Sequence, residues 1–149
     1  MVRLSSLLFV LISVLALSVS THGQRLKNSA YLKDAMQLSP AIYDVKGMGN
    51  WKKGKQAGQV RLVIARSARQ DEIFLQWVSW DSKGPHSIKS TVQIKEIEKM
   101  GRYKVSFIRR EATNGGRKII LGLENLHDKI TSRAIIEVQD VGLYHCQLE

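Results

Sequence analysis

Cysteine and proline are scarce in this chain. Of its 149 residues, one is Cys and two are Pro. A single Cys excludes an internal disulfide framework and any zinc site built from several cysteines. The chain also has no Asn-x-Ser/Thr sequence, the acceptor of N-glycosylation. Because secreted animal domains of this size usually carry disulfides, these two absences favour a bacterial protein, either periplasmic or secreted.

The first 23 residues contain no acidic side chain, and their order is that of a secretory signal peptide. Arg3 precedes a mostly apolar run from Leu7 to Val19, and small or polar residues follow it. This run is shorter than the roughly 20 apolar residues that a membrane-spanning helix needs. We therefore predict a signal peptide over residues 1–23, cleaved after Ser20 or Gly23, and an exported mature chain. The alternative is an uncleaved N-terminal anchor.

Strand-helix-strand units are absent from the mature chain, and so are internal repeats and low-complexity linkers. Residues 24–42 form an N-terminal segment in which Ser29 can cap a short helix ending before Pro40. Residues 43–149 alternate between apolar and polar side chains, with turn residues in between. Strands are predicted over Gln59–Ala65, Glu72–Trp80, Ser87–Ile97, Tyr103–Arg109, Arg117–Glu124, Ile130–Val138 and Leu143–Leu148. The pattern predicts one all-β domain of seven to eight antiparallel strands, either a sandwich or a barrel.

No catalytic or metal-binding spacing stands out among the four histidines and the single Cys. His145 and Cys146 are neighbours on a predicted strand, so their side chains point to opposite faces. Cys146 is therefore predicted to be a small buried side chain, with an intermolecular disulfide as the alternative. His127 and Asp128 form the one adjacent pair that would suit a small hydrolase. We expect a protein that is not an enzyme and that needs neither a cofactor nor a metal.

Acidic residues are missing between Asp44 and Asp71, although the chain as a whole carries a formal charge of +10. This interval holds most of the basic excess. Its cations are Lys46, Lys52, Lys53, Lys55, Arg61, Arg66 and Arg69. Gly47–Lys55 is predicted to be a glycine-rich loop in which Trp51 lies among lysines. Further along, Arg109-Arg110 and Arg117-Lys118 are in positions to extend a basic patch, although Glu111 dilutes it.

A basic loop with an aromatic side chain predicts contact with an anionic partner. The residues expected to make this contact are Trp51, Lys52, Lys53, Lys55, Arg61 and Arg66. For an exported protein the candidate partners are anionic lipid headgroups, acidic polysaccharide or an acidic protein, and nucleic acid is ranked lower. Three alternatives stay open: a solvated basic surface without a dedicated partner, a structural or accessory subunit of an envelope assembly, and the small hydrolase.

Overall fold

The computed structural model describes residues 37–80, 86–113 and 116–149. The predicted signal peptide over 1–23 and the predicted short helix near Ser29 lie outside the described residues. Residues 39–149 form one compact unit. No helix within the described ranges is long and apolar enough to cross a membrane.

Strands make up most of this unit, as the alternating pattern predicts. They are β1 (Ile42–Lys53), β2 (Gln56–Arg66), β3 (Asp71–Ser79), β4 (Ser87–Gln93), β5 (Tyr103–Thr113), β6 (Gly116–Asn125), β7 (Thr131–Asp140) and β8 (Leu143–Leu148). The helix α1 (Lys95–Lys99) is one short turn. All strand pairs are antiparallel, and they form two four-stranded sheets in chain order, β1-β2-β3-β4 and β5-β6-β7-β8. The all-β antiparallel prediction is confirmed, in its sandwich form.

The core lies between the inner faces of the two sheets. On β2, Val60, Leu62 and Ile64 alternate with more exposed Gln59 and Arg61, and the three apolar side chains are at most 1% exposed. Apolar side chains on the other central strands fill the rest of the core. They include Ile73, Leu75, Trp77, Ile119, Leu121, Leu123, Ala134 and Ile136. Burying each large aliphatic side chain contributes on the order of 1.5–3 kcal/mol, so these four central strands supply most of the stabilisation.

Side chains join the edges of the two sheets. Beside β1, the guanidinium of Arg110 on β5 donates from Nη1 to the carbonyl of Gly47 at 2.9 Å. At the opposite edge, the hydroxyl of Tyr144 on β8 donates to the carbonyl of Gln93 at 3.2 Å and to Oε2 of Glu96 at 2.9 Å. β5 therefore runs from the start of β3, where Val105 contacts Asp71, toward β1, and β8 contacts the end of β4 and α1. The connection through α1 consequently crosses from one edge of the sandwich to the other.

The predicted strand Ser87–Ile97 is too long. Strand β4 ends at Gln93, and the chain then forms α1. Ile94 and Ile97 are 1% and 3% exposed, three residues apart, so both reach the core from a helical turn. A continued strand would carry them to opposite faces, and burial of both side chains favours the helix.

The prediction of a loop over Gly47–Lys55 is also wrong, because β1 continues to Lys53. The pairing of β1 with β2 shifts by one residue between Gly47 and Gly49, which is a β-bulge at Met48. Gly49 has a φ of 103°, which glycine adopts without steric cost. The glycines thus serve a bulge, and the bulge turns Met48 into the core, where it is 1% exposed.

Candidate anion-binding site

Trp51 packs largely into the core, while its contact with a partner stays a prediction. Its ring is 9% exposed, and its Nε1 donates to the carbonyl of Val78 on β3 at 3.2 Å. Gly58 on β2 lies against the ring, since a Cβ there would be 2.7 Å from Nε1. The Trp51 side chain is thus fixed in position, and it lines a small cleft together with Lys52 and Arg117.

Arg66 is half-buried and already paired within the protein, while its contact with a partner stays a prediction. Its Nε and Nη2 donate to the two carboxylate oxygens of Asp71 at 2.9 and 2.8 Å. The Asp71 side chain is 1% exposed, and the guanidinium carbon of Arg66 lies 3.5 Å from the ring centroid of Tyr43. The hydrogen bond to Asp71 raises the pKa of Arg66 above its ordinary value. Arg66 therefore belongs to the framework of the sandwich.

The other four predicted residues divide by position. Lys52, Lys53 and Lys55 are exposed at the end of the β1–β2 hairpin, and we call them the hairpin lysines. Lys53 donates to Asp140 at 2.8 Å, and this bond lowers the pKa of that carboxyl group. Within the described residues, Lys52 and Lys55 have no ion pair. Arg61 is half-buried further along β2, roughly 17 Å from the hairpin end at about 3.3 Å per residue.

A second group of cations lines a cleft of about 530 Å³ where β1 lies beside β5 and β6. Its lining residues come from four strands. They are Met48, Gly49, Asn50, Gln59, Arg110, Glu111, Ala112 and Arg117. We call it the arginine cleft. Its two cations are Arg110 and Arg117. The sequence suggests these arginines only as an extension of a basic patch, because nothing in it shows that β1 lies next to them.

Arg117 lies against the backbone of β1. A Cβ on Gly49 would lie 2.4 Å from Nε of Arg117, so the missing side chain at Gly49 leaves room for the guanidinium in this position. Burial, and then the charge of Arg110, lower the pKa of Arg117 from its ordinary value. Within the described residues, Arg117 makes no ion pair or hydrogen bond, whereas Arg110 donates to the Gly47 carbonyl. Two like charges therefore lie close together without a carboxylate to balance them.

Glu111 is the acidic residue on the cleft wall, and it already has a partner. Its Oε1 accepts a hydrogen bond from Nε of Arg109 at 2.6 Å. A second cleft, of about 270 Å³, shares Asn50 and Arg117 with the first and reaches the core residue Trp77. Arg117 thus borders both clefts, and the charged side chains of Lys52 and Asp140 also line the second one.

His127 lines a separate cleft of about 400 Å³ with Arg102, Asn125 and Leu126. Its backbone N–H donates to Oδ1 of Asn125, while Oδ1 of Asp128 accepts from the N–H of Ile130. These bonds build the turn, and none in the described residues joins the His127 ring to Asp128. A catalytic role for His127 stays a prediction.

Cys146 lies half-buried against the core, and burial raises the pKa of its thiol to about 11. Its neighbour His145 is exposed on the opposite face of β8. In the part of the chain that the structure describes, no three His, Cys, Asp or Glu side chains are grouped closely enough to hold a metal ion.

Comparisons with protein-family models, curated proteins and solved structures gave no match. The charge and geometry of the described residues therefore carry the functional assignment.

Proposed function

We propose that this chain is an exported, non-enzymatic β-domain that binds an anionic component of the cell envelope through the hairpin lysines. One observation carries the proposal. Lys52, Lys53 and Lys55 project from the same hairpin end, and only Lys53 has an acidic partner in the described residues, at 2.8 Å. The signal-like N-terminus and the single Cys support export, and a bacterial periplasmic or secreted location.

The expected binding is weak and depends on salt. Each Lys near an anionic lipid surface contributes on the order of 1 kcal/mol. At physiological salt, charges are screened over about 8 Å, so the hairpin has to approach the surface closely. Because Trp51 is buried, we expect no aromatic insertion to add to this attraction. A single hairpin therefore gives reversible attachment.

The test exchanges two exposed lysines for glutamates. The double variant K52E/K55E should lose most of its retention on vesicles containing phosphatidylglycerol, and on heparin, at about 0.15 M salt. The matched control is K99E/K104E, which changes the charge equally at exposed positions of α1 and β5. Unchanged retention of K52E/K55E would contradict the proposal. Equal losses in both variants would also contradict it, because they would show a net-charge effect.

A structural or accessory subunit of an envelope assembly is the second candidate. Ile88 on β4 and Leu143 on β8 are 58% and 57% exposed. They flank the edge where a Cβ on Gly142 would be 3.1 Å from the Ser90 hydroxyl. Apolar side chains at a sheet edge suit a protein partner. A stoichiometric partner that copurifies with the native chain, but not with I88K/L143K, would favour this role.

A further inference from the structure

The arginine cleft has the properties of a dedicated anion site. We propose that it binds a phosphate monoester group carried by a larger molecule, with Arg110 and Arg117 as the binding cations. This inference does not rest on the hairpin lysines. The two sites involve different side chains, so either proposal can fail alone.

The first argument is the unbalanced charge. Arg110 and Arg117 lie close enough for one to disfavour the charge of the other, and neither has an ion pair in the described residues. The guanidinium of Arg117 lies against Gly49, in the same cleft as Arg110. A bound dianion would remove the repulsion between the two guanidinium groups. The arrangement therefore gains most from a ligand with two negative charges.

The second argument is the set of hydrogen-bond donors. Guanidinium groups present planar forks of N–H donors that match the oxygens of a phosphate. The carboxamides of Asn50 and Gln59 line the same cleft and make no hydrogen bond in the described residues. They supply neutral donors beside the two cations. A phosphate monoester offers three terminal oxygens, which these four side chains suit better than a planar carboxylate.

The third argument is size. The cleft volume of about 530 Å³ lies within the range of about 300–1,000 Å³ that is typical of organic ligands. Inorganic phosphate alone would leave most of that space to water. The geometry points to an ester whose organic part, a sugar or glycerol unit, occupies the rest of the cleft.

Glu111 restricts what the cleft accepts. Its carboxylate lies on the same wall but is bonded to Arg109, so the local balance remains positive. β5 and β6 supply all the charged groups that line the cleft: Arg110, Glu111 and Arg117. β1 and β2 contribute only uncharged lining residues. A compact dianion is therefore attracted to Arg110 and Arg117 more strongly than a ligand with a single delocalised charge.

The experiment measures binding of glycerol 3-phosphate, inorganic phosphate and vesicles of phosphatidic acid in phosphatidylcholine to the purified full chain. Calorimetry follows the soluble probes, and sedimentation follows the vesicles, both at low salt. We expect one saturable site for glycerol 3-phosphate or for the vesicles, with inorganic phosphate binding more weakly. The two arms separate a soluble ester from a lipid headgroup as the source of the phosphate.

Three variants locate the site. R110Q and R117Q should each weaken binding of the probe by about tenfold or more, since each removes charge-assisted hydrogen bonds. Arg133, exposed on β7 and outside the cleft, provides the charge-matched control R133Q, which should change affinity less than about twofold. Urea unfolding checks that the variants fold. If R117Q does not fold, R110Q still tests the site, because Arg110 is exposed. Equal affinity in R110Q, R117Q and R133Q would overturn the proposal.

The pH dependence tests the charge of the ligand. The second pKa of a phosphate monoester is about 6, while the arginines stay protonated. Affinity for glycerol 3-phosphate should therefore rise several-fold between pH 5 and pH 7.5. Absence of saturable binding to any phosphate probe, or equal affinity for acetate, would overturn the proposal. K55E, whose lysine lines neither of the two clefts beside Arg117, should keep its affinity for glycerol 3-phosphate, which distinguishes this site from the hairpin lysines.

Discussion

The carboxylate of Asp71 and the guanidinium of Arg66 form a two-point ion pair, at 2.9 and 2.8 Å, at the end of the β2–β3 hairpin. The same carboxylate accepts the backbone N–H of Val105 at 2.8 Å, from the edge strand of the other sheet. One buried side chain thus ties two sheets together where no backbone ladder in the described residues joins them. The ion pair is a structural joint of the sandwich.

Replacing the acidic partner should destabilise the fold. D71N removes the charge and leaves the Arg66 guanidinium, whose side chain is 28% exposed, without its partner. Breaking a buried pair costs about 3–5 kcal/mol, and partial exposure of Arg66 favours the lower end, about 3 kcal/mol. Urea unfolding measures the loss. The control is E137Q, which removes the ion pair between Glu137 and Lys118 and should lower the free energy of unfolding by less than about 1 kcal/mol. An equal loss of stability in D71N and E137Q would contradict the structural role of the Asp71–Arg66 pair.

The space beside Trp51 should not tolerate another methyl group. In G58A the new Cβ would lie 1.9 Å from the carbonyl oxygen of Val78, so the strand or the indole has to move. Overpacking of this kind costs about 1–3 kcal/mol and should shift the tryptophan emission to longer wavelength. The control is G54A. Its new Cβ would have no atom within 4 Å, so the only cost of this substitution is the positive φ of 60° at residue 54. A free energy of unfolding in G58A equal to that of the unaltered chain would argue against the close packing around Gly58.

The buried thiol makes alkaline stability depend on Cys146. Burial raises its pKa from 9.0 to about 11, so the folded chain keeps this proton longer than the unfolded chain. The thiol's contribution to stability is complete below pH 9 and is lost as the pH rises toward 11. Urea midpoints should fall over that range in the native chain and less in C146A. Identical pH profiles would contradict the assignment. Burial raises the pKa of Tyr144 to about 12, so its own titration lies above this range.

The central strands can be predicted from the sequence, because burial of one face of a strand makes apolar and polar side chains alternate along it. Val60, Leu62 and Ile64 were expected on one face of β2, and all three are buried. On β1 the bulge at Met48 interrupts the alternation, so that Met48 and Trp51 are both buried although they are three residues apart. The glycines of this segment permit either a loop or a bulge, and local alternation therefore does not identify Trp51 as a core residue.

The ion pair and the arginine cleft depend on contacts across the chain. Arg66 finds Asp71 because their Cα atoms are opposite in the β2–β3 register. Arg117 meets Gly49 only because the connection through α1 carries β5 and β6 to the β1 edge. Local patterns contain no information on which edge a crossing connection reaches.

By itself, the sequence determined the all-β class, the inward faces of the central strands and the placement of excess charge before Asp71, because periodicity and composition are local properties. Only the tertiary structure decided which cations are available. It buried Trp51, paired Arg66, and brought Arg110 and Arg117 to one cleft beside β1. The physical reason is that a cation's availability depends on its neighbours in space, and the stacking of two sheets selects those neighbours.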